Sequence, residues 1–171
     1  MKRLFILSIT FLPLVLSGCA AVKENAPPKN PVTYITTPKI QQIKAAEISG
    51  MTPDPSTNTA LNLKDPHDKA VLQKVLNWLQ AAPFSKIEDL HQPTPSEGPT
   101  TLVLTLSNGT DAWVQPATNC STNGNSTTCT PAYGYVDFQY TNSTKRTRLR
   151  ATVLDAWLLG TWRQDILAKK N

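Results

Sequence analysis

Arg146, Arg148 and Arg150 recur at every second residue, and Tyr133 and Tyr135 precede them with the same spacing. In a strand, alternate side chains share a face. Guanidinium groups are planar forks that suit carboxylate or phosphate, and tyrosine adds stacking surface. If residues 133–140 and 145–151 form a hairpin, these five side chains make one candidate binding face, with Asp137 opposite Arg148. Such a face fits an anionic polymer or an acidic protein. Cys120 and Cys129 flank a polar Ser/Thr/Asn stretch, and their spacing does not match the close ligand pairs of a zinc site.

The residues that catalysis needs are thinly spread. His67 and His91 are the only histidines. Neither sits at triad or ligand spacing from a Cys, Asp or Glu that stands out. Glu88, Asp89 and Glu97 cluster in a segment that reads as solvated surface. There is no Gly-x-Ser-x-Gly elbow, Ser-x-x-Lys, His-Glu-x-x-His, phosphate loop or dinucleotide fingerprint. No catalytic residue, metal ligand or cofactor site is therefore assigned, although triads do assemble across distant sequence.

The elements that would carry these residues lie in the second half of the chain. Asp65 can cap a helix, Pro66 suits its first position, and Val71, Leu72, Val75, Leu76, Trp78, Leu79 and Ala82 recur at helical spacing until Pro83. Residues 84–99, with three prolines, read as a loop. Leu102–Leu106 and Ala112–Val114 flank Asn108-Gly109, a strong hairpin signal. A two-residue loop there would set Leu104 opposite Trp113 and Val103 opposite Val114, leaving both faces partly apolar.

The second hairpin is better determined. Centring its turn on Asn142-Ser143 pairs Val136 with Leu149 and Phe138 with Thr147 on one apolar face. The same register pairs Gln139 with Arg146, Asp137 with Arg148 and Tyr135 with Arg150 on the other. A slip by one residue would destroy both sets. Leu154, Trp157, Leu158, Trp162 and Ile166 then form a helical stripe, Thr152 and Asp155 offer a capping pair, and Gly160 weakens the helix by about 1 kcal/mol. The expected fold is α+β: a helix, a four-stranded antiparallel sheet of two hairpins, and a C-terminal helix over residues 66–171.

Upstream, residues 20–66 hold seven of the fourteen prolines and none of the four tryptophans. Val32–Ile35 and the helix-like Ile40–Ile48 could order briefly, but the segment as a whole reads as a disordered tether. As a coil, about 45 residues span roughly 35–40 Å.

The start of the chain is the most specific feature. Met1-Lys2-Arg3 is basic, and the apolar run Leu4–Leu16 is shorter than the roughly 20 residues of a membrane-spanning helix. Leu16-Ser17-Gly18-Cys19 resembles the lipobox of bacterial lipoproteins. That resemblance implies cleavage after residue 18, a diacylglyceryl thioether on Cys19, and an anchor firmer than one acyl chain. It divides the chain into a signal peptide (1–18), a lipid-anchored tether (19–65) and an extracytoplasmic domain (66–171). The anchor would lie in the outer membrane of a two-membrane bacterium, or face the wall in a one-membrane one. With Cys19 lipidated, an even pair is left in an oxidising compartment, and a Cys120–Cys129 disulfide is expected.

A net charge of +5 adds little to the choice of partner, and the location disfavours nucleic acid. The function expected is a lipid-anchored binding or accessory module of the cell envelope. Its partners would be the membrane through the lipid and an anionic envelope polymer or protein. The alternatives are an envelope hydrolase and a structural envelope protein.

Overall fold

In the computed structural model, which describes residues 36–50, 58–89 and 100–167, the four expected strands are the centre of a larger sheet. Seven antiparallel strands run in the order β2-β1-β4-β5-β6-β7-β3. They are β1 (Ile43–Ser49), β2 (Thr59–Leu61), β3 (Phe84–Asp89), β4 (Thr101–Leu106), β5 (Asp111–Asn123), β6 (Ser126–Tyr140) and β7 (Lys145–Arg150). The described residues are predominantly β. The expectation of a four-stranded sheet of two hairpins behind a disordered tether is thereby corrected.

Three strands escaped the sequence for physical reasons. In β1, an irregularity between Ile43 and Ala45 shifts the register. Ile43 and Ala46, three apart, are then both buried, and that spacing imitates a helix. β2 is only three residues long. β3 carries a similar irregularity between Phe84 and Lys86, and Phe84 and Ile87 stay about half exposed at 44% and 46%. At the sheet edge, neither strand shows clean alternation.

α1 (Pro66–Ala81) begins as its sequence indicates: Asp65 accepts from the His67 N–H, and Pro66 holds the first turn. It connects β2 to β3, at opposite edges of the sheet. Sixteen residues give a helix about 24 Å long, close to the roughly 29 Å that six strand spacings require. The helix therefore spans the sheet. Val71, Leu72, Val75, Leu76 and Leu79 are buried in a single core with Leu102, Leu104, Ala112, Val114, Val136 and Phe138. Each such side chain contributes roughly 1.5–3 kcal/mol when fully buried.

The first hairpin differs from expectation by one residue. Leu104 pairs with Ala112 and Val103 with Trp113. Leu106 accepts from the Gly109 N–H and donates to the Thr110 carbonyl, so Ser107-Asn108-Gly109 is a three-residue loop with Gly109 at φ +84°. That extra residue puts Leu102, Leu104, Ala112 and Val114 on the core face and leaves Trp113 41% exposed on the other. The second hairpin has the register expected, with Val136 opposite Leu149 and Asp137 opposite Arg148.

The C-terminal helical run comprises α2 (Thr152–Ala156), a π-helical turn (Trp157–Thr161) and α3 (Trp162–Leu167). Trp162 N–H reaches the Trp157 carbonyl across the wide turn. Five residues along a regular helix would rotate Trp162 about 140° from Trp157. The wider turn narrows that gap, and both indoles are buried. Thr152 and Asp155 do not form the expected cap. Ala151 is the N-cap, with no side-chain bond, and Asp155 instead accepts from the Gly134 N–H at 2.7 Å.

Candidate functional site

The five residues of the candidate face do not share one open surface. Asp137 and Arg148 keep only 1% and 3% of their exposure, and Arg146 6%. Arg148 meets Asp137 with two parallel bonds, Nε to Oδ1 at 2.8 Å and Nη2 to Oδ2 at 3.0 Å. Its remaining donors reach the Asn119 Oδ1 and the Thr118 carbonyl, both at 2.7 Å. Arg146 Nε lies 3.4 Å from the same carboxylate. Arg146 and Arg148 are thus withdrawn from the contact face and act inside the fold.

The contacts of Arg148 beyond Asp137 lie at the base of the far half of the β5–β6 hairpin, at Thr118 and Asn119. Beyond Pro116 and Val136 the ladder breaks: Ala117 on β5 faces Ala132–Tyr135 on β6 before pairing resumes at Thr118 and Pro131. A bulge of that size bends a ribbon. The distal arm, residues 118–131, is tied down by Arg148 at its base. It is almost wholly exposed from Ser121 to Thr128, and a lone two-stranded ribbon is at best marginally stable. The Cys120–Cys129 disulfide crosses this arm, joining residues that stand directly opposite.

Arg150, Tyr133 and Tyr135 remain on the outside, in a different setting. Tyr135 pairs with Arg150 across the strands. The Ala151 N–H donates to the Gly134 carbonyl, which lays Tyr133–Tyr135 along the start of α2. Gly134 has φ +80°, and an added Cβ would meet Thr152 Oγ1 at 3.3 Å. Tyr133 is 73% exposed and Val153 59%. Here a groove of about 220 Å³ opens between the ends of α1 and β7. Trp78, Ala82, Pro83 and Val153 line it with apolar surface, and Arg150 supplies its charge. The Arg150 guanidinium has no ion pair among the described residues.

The sequence reading missed Trp78, Pro83 and Val153 as parts of this corner. Only Val153 left a signal, as an apolar residue lying off the stripe of its helix.

The titratable groups elsewhere tie elements together. Asp165 Oδ2 accepts from Trp157 Nε1 at 2.9 Å and pairs with Lys74 at 3.1 Å. The His67 ring Nε2 donates to the Asp165 carbonyl at 2.6 Å. His67 therefore helps join α1 to α3. Burial pushes the Asp155 carboxyl above its ordinary 3.8, opposed by the hydrogen bond from Gly134.

Cys19, His91 and Glu97 lie outside the described residues, as do the side chains of Glu88 and Asp89. Among the described residues no three His, Cys, Asp or Glu gather as a metal site, and no helix is long and apolar enough to cross a membrane. No protein-family model, curated protein or solved structure matches the chain.

Proposed function

We propose that this chain is a lipid-anchored binding or accessory module on the extracytoplasmic side of a bacterial membrane, and that it engages a protein partner through the Arg150 corner. The observation that carries the reading is the apolar groove beside Arg150, whose guanidinium has no ion pair among the described residues, with exposed Tyr133 and Val153 as neighbours. Tyr, Trp and Arg are the residues that dominate interface energetics when gathered around a pocket. The complementary partner presents an apolar side chain beside a carboxylate. A purely anionic polymer would use the guanidinium but leave the groove empty. The lipobox-like Leu16–Cys19 supports the anchor.

The test uses the full chain and two changes. Cys19→Ser should move the protein from the membrane to the soluble fraction, and unchanged partitioning would contradict the anchor. Arg150→Glu reverses the charge that the described lining of the corner carries. It should leave the melting temperature nearly unchanged and weaken capture of the partner at least about tenfold, as loss of a charged hydrogen bond predicts. Equal capture by both forms would remove this corner from the binding site.

A further inference from the structure

The opposite end of the sheet carries a second cavity, of about 280 Å³, walled by the β4–β5 and β6–β7 turns and the segment entering β1. β7 runs between the two ends, which puts about 17–20 Å between this hollow and Arg150. Its lining is unlike the first. Gln42, Asn108 and Asn142 bring three amides, Thr110 a hydroxyl, and Tyr140 and Pro38 flat walls.

Two of the amides are oriented by the backbone. Gln42 Oε1 accepts from the Lys39 N–H at 2.8 Å, and Asn108 Oδ1 accepts from the Thr110 N–H at 3.0 Å. In both, the oxygen is committed and the NH2 group is left as a fixed donor. The Asn142 amide and the Thr110 hydroxyl have no hydrogen-bond partner among the described residues, so they offer both donors and acceptors.

We propose that this hollow binds a neutral polyhydroxylated ligand, a single sugar ring by size. Sugar hydroxyls donate and accept at once, which matches a lining of oriented amides with the Asn142 amide and the Thr110 hydroxyl uncommitted among the described residues. The C–H face of the ring matches Pro38 and Leu106. Burial holds the Tyr140 proton more firmly than usual, and its hydroxyl donates to the Thr36 carbonyl. Among the described residues no lining side chain carries a charge, so an ionic ligand finds no counter-charge from them. The volume lies just below the usual range of about 300–1,000 Å³ for ligand pockets, as a single small ring requires.

The test is a titration of the isotope-labelled full chain, carrying Cys19→Ser, with glucose and N-acetylglucosamine, and with glucuronate as the charged counterpart. The side-chain NH2 resonances of Gln42, Asn108 and Asn142 should shift together and saturate with a neutral sugar. Asn142→Ala, which removes no internal bond, should weaken that binding about three- to tenfold. Arg150→Glu should leave it unchanged, which separates this site from the partner-binding corner. The proposal is overturned by the absence of a saturable shift up to the sugar's solubility limit. It is also overturned by equal affinity in Asn142→Ala, or by glucuronate binding as well as the neutral sugars.

Discussion

Arg148 is the residue on which the outer face of the sheet depends. Its guanidinium satisfies a nearly inaccessible carboxylate and also holds the base of the distal arm. Cutting it back would leave Asp137 with only the more distant Arg146. Arg148→Ala should cost about 3–5 kcal/mol in denaturant unfolding, the range for breaking a buried pair. A loss near zero would mean the pair is solvated in solution. Asp155 predicts a pH effect of definite sign. Because its folded pKa is raised, the folded protein takes up the proton first. Stability from this group is present below the unfolded value of about 3.8 and lost as pH rises through the folded one. Asp155→Asn keeps an acceptor for Gly134 and removes the titration. It should therefore gain stability relative to the parent as pH rises from below 3.8 through the raised folded value, and a difference that does not change with pH would contradict a buried, titrating Asp155.

At the scale of elements, clean local patterns were readable and interrupted ones were not. α1 declared itself through Asp65, Pro66 and an unbroken stripe. The second hairpin declared its register because charge pairing and apolar pairing agreed on it. β1 and β3 did not, because an irregularity in each breaks the period of two on which strand recognition rests. The candidate face was half legible. Alternation puts Arg146, Arg148 and Arg150 on one side of β7, but it could not show that Thr118 and Asn119, at the base of the distal arm, bond Arg148. That contact depends on a four-residue bulge, Ala132–Tyr135, with no local signature beyond Gly134. The disulfide across this arm makes its own prediction. Replacing Cys120 and Cys129 by Ser should lower stability by about 2.5–3 kcal/mol on the loop-entropy argument. It should also speed amide exchange within residues 118–131 more than in β4 or α1. Uniform acceleration across the sheet would show that the arm is not an independent stiffened unit.

For the whole molecule, the sheet needs strands from both sides of α1. β1 pairs with β4 along six positions, from Ile43 with Leu106 to Ser49 with Thr101. A chain beginning at residue 66 would leave the β4 edge unpaired and strip Ile43, Ala46, Ile48 and Leu61 from the core. Unpaired edges template aggregation. Residues 66–171 alone should therefore elute as aggregate or lack protected amides in β4, and a stable monomer would show that β1 and β2 are dispensable. The assembled domain then presents two chemically distinct ends, and the central claim concerns the one at Arg150. Its most direct measurement is site-specific photo-cross-linking in the cells that make the protein, with a benzophenone side chain placed in turn at Val153, Tyr133 and Leu159. Leu159 is 51% exposed but lies outside the groove. One adduct of defined mass is expected from positions 153 and 133, none from 159, and its loss with Arg150→Glu. Absence of an adduct at 153, or equal adducts from 159, would contradict a partner at this corner.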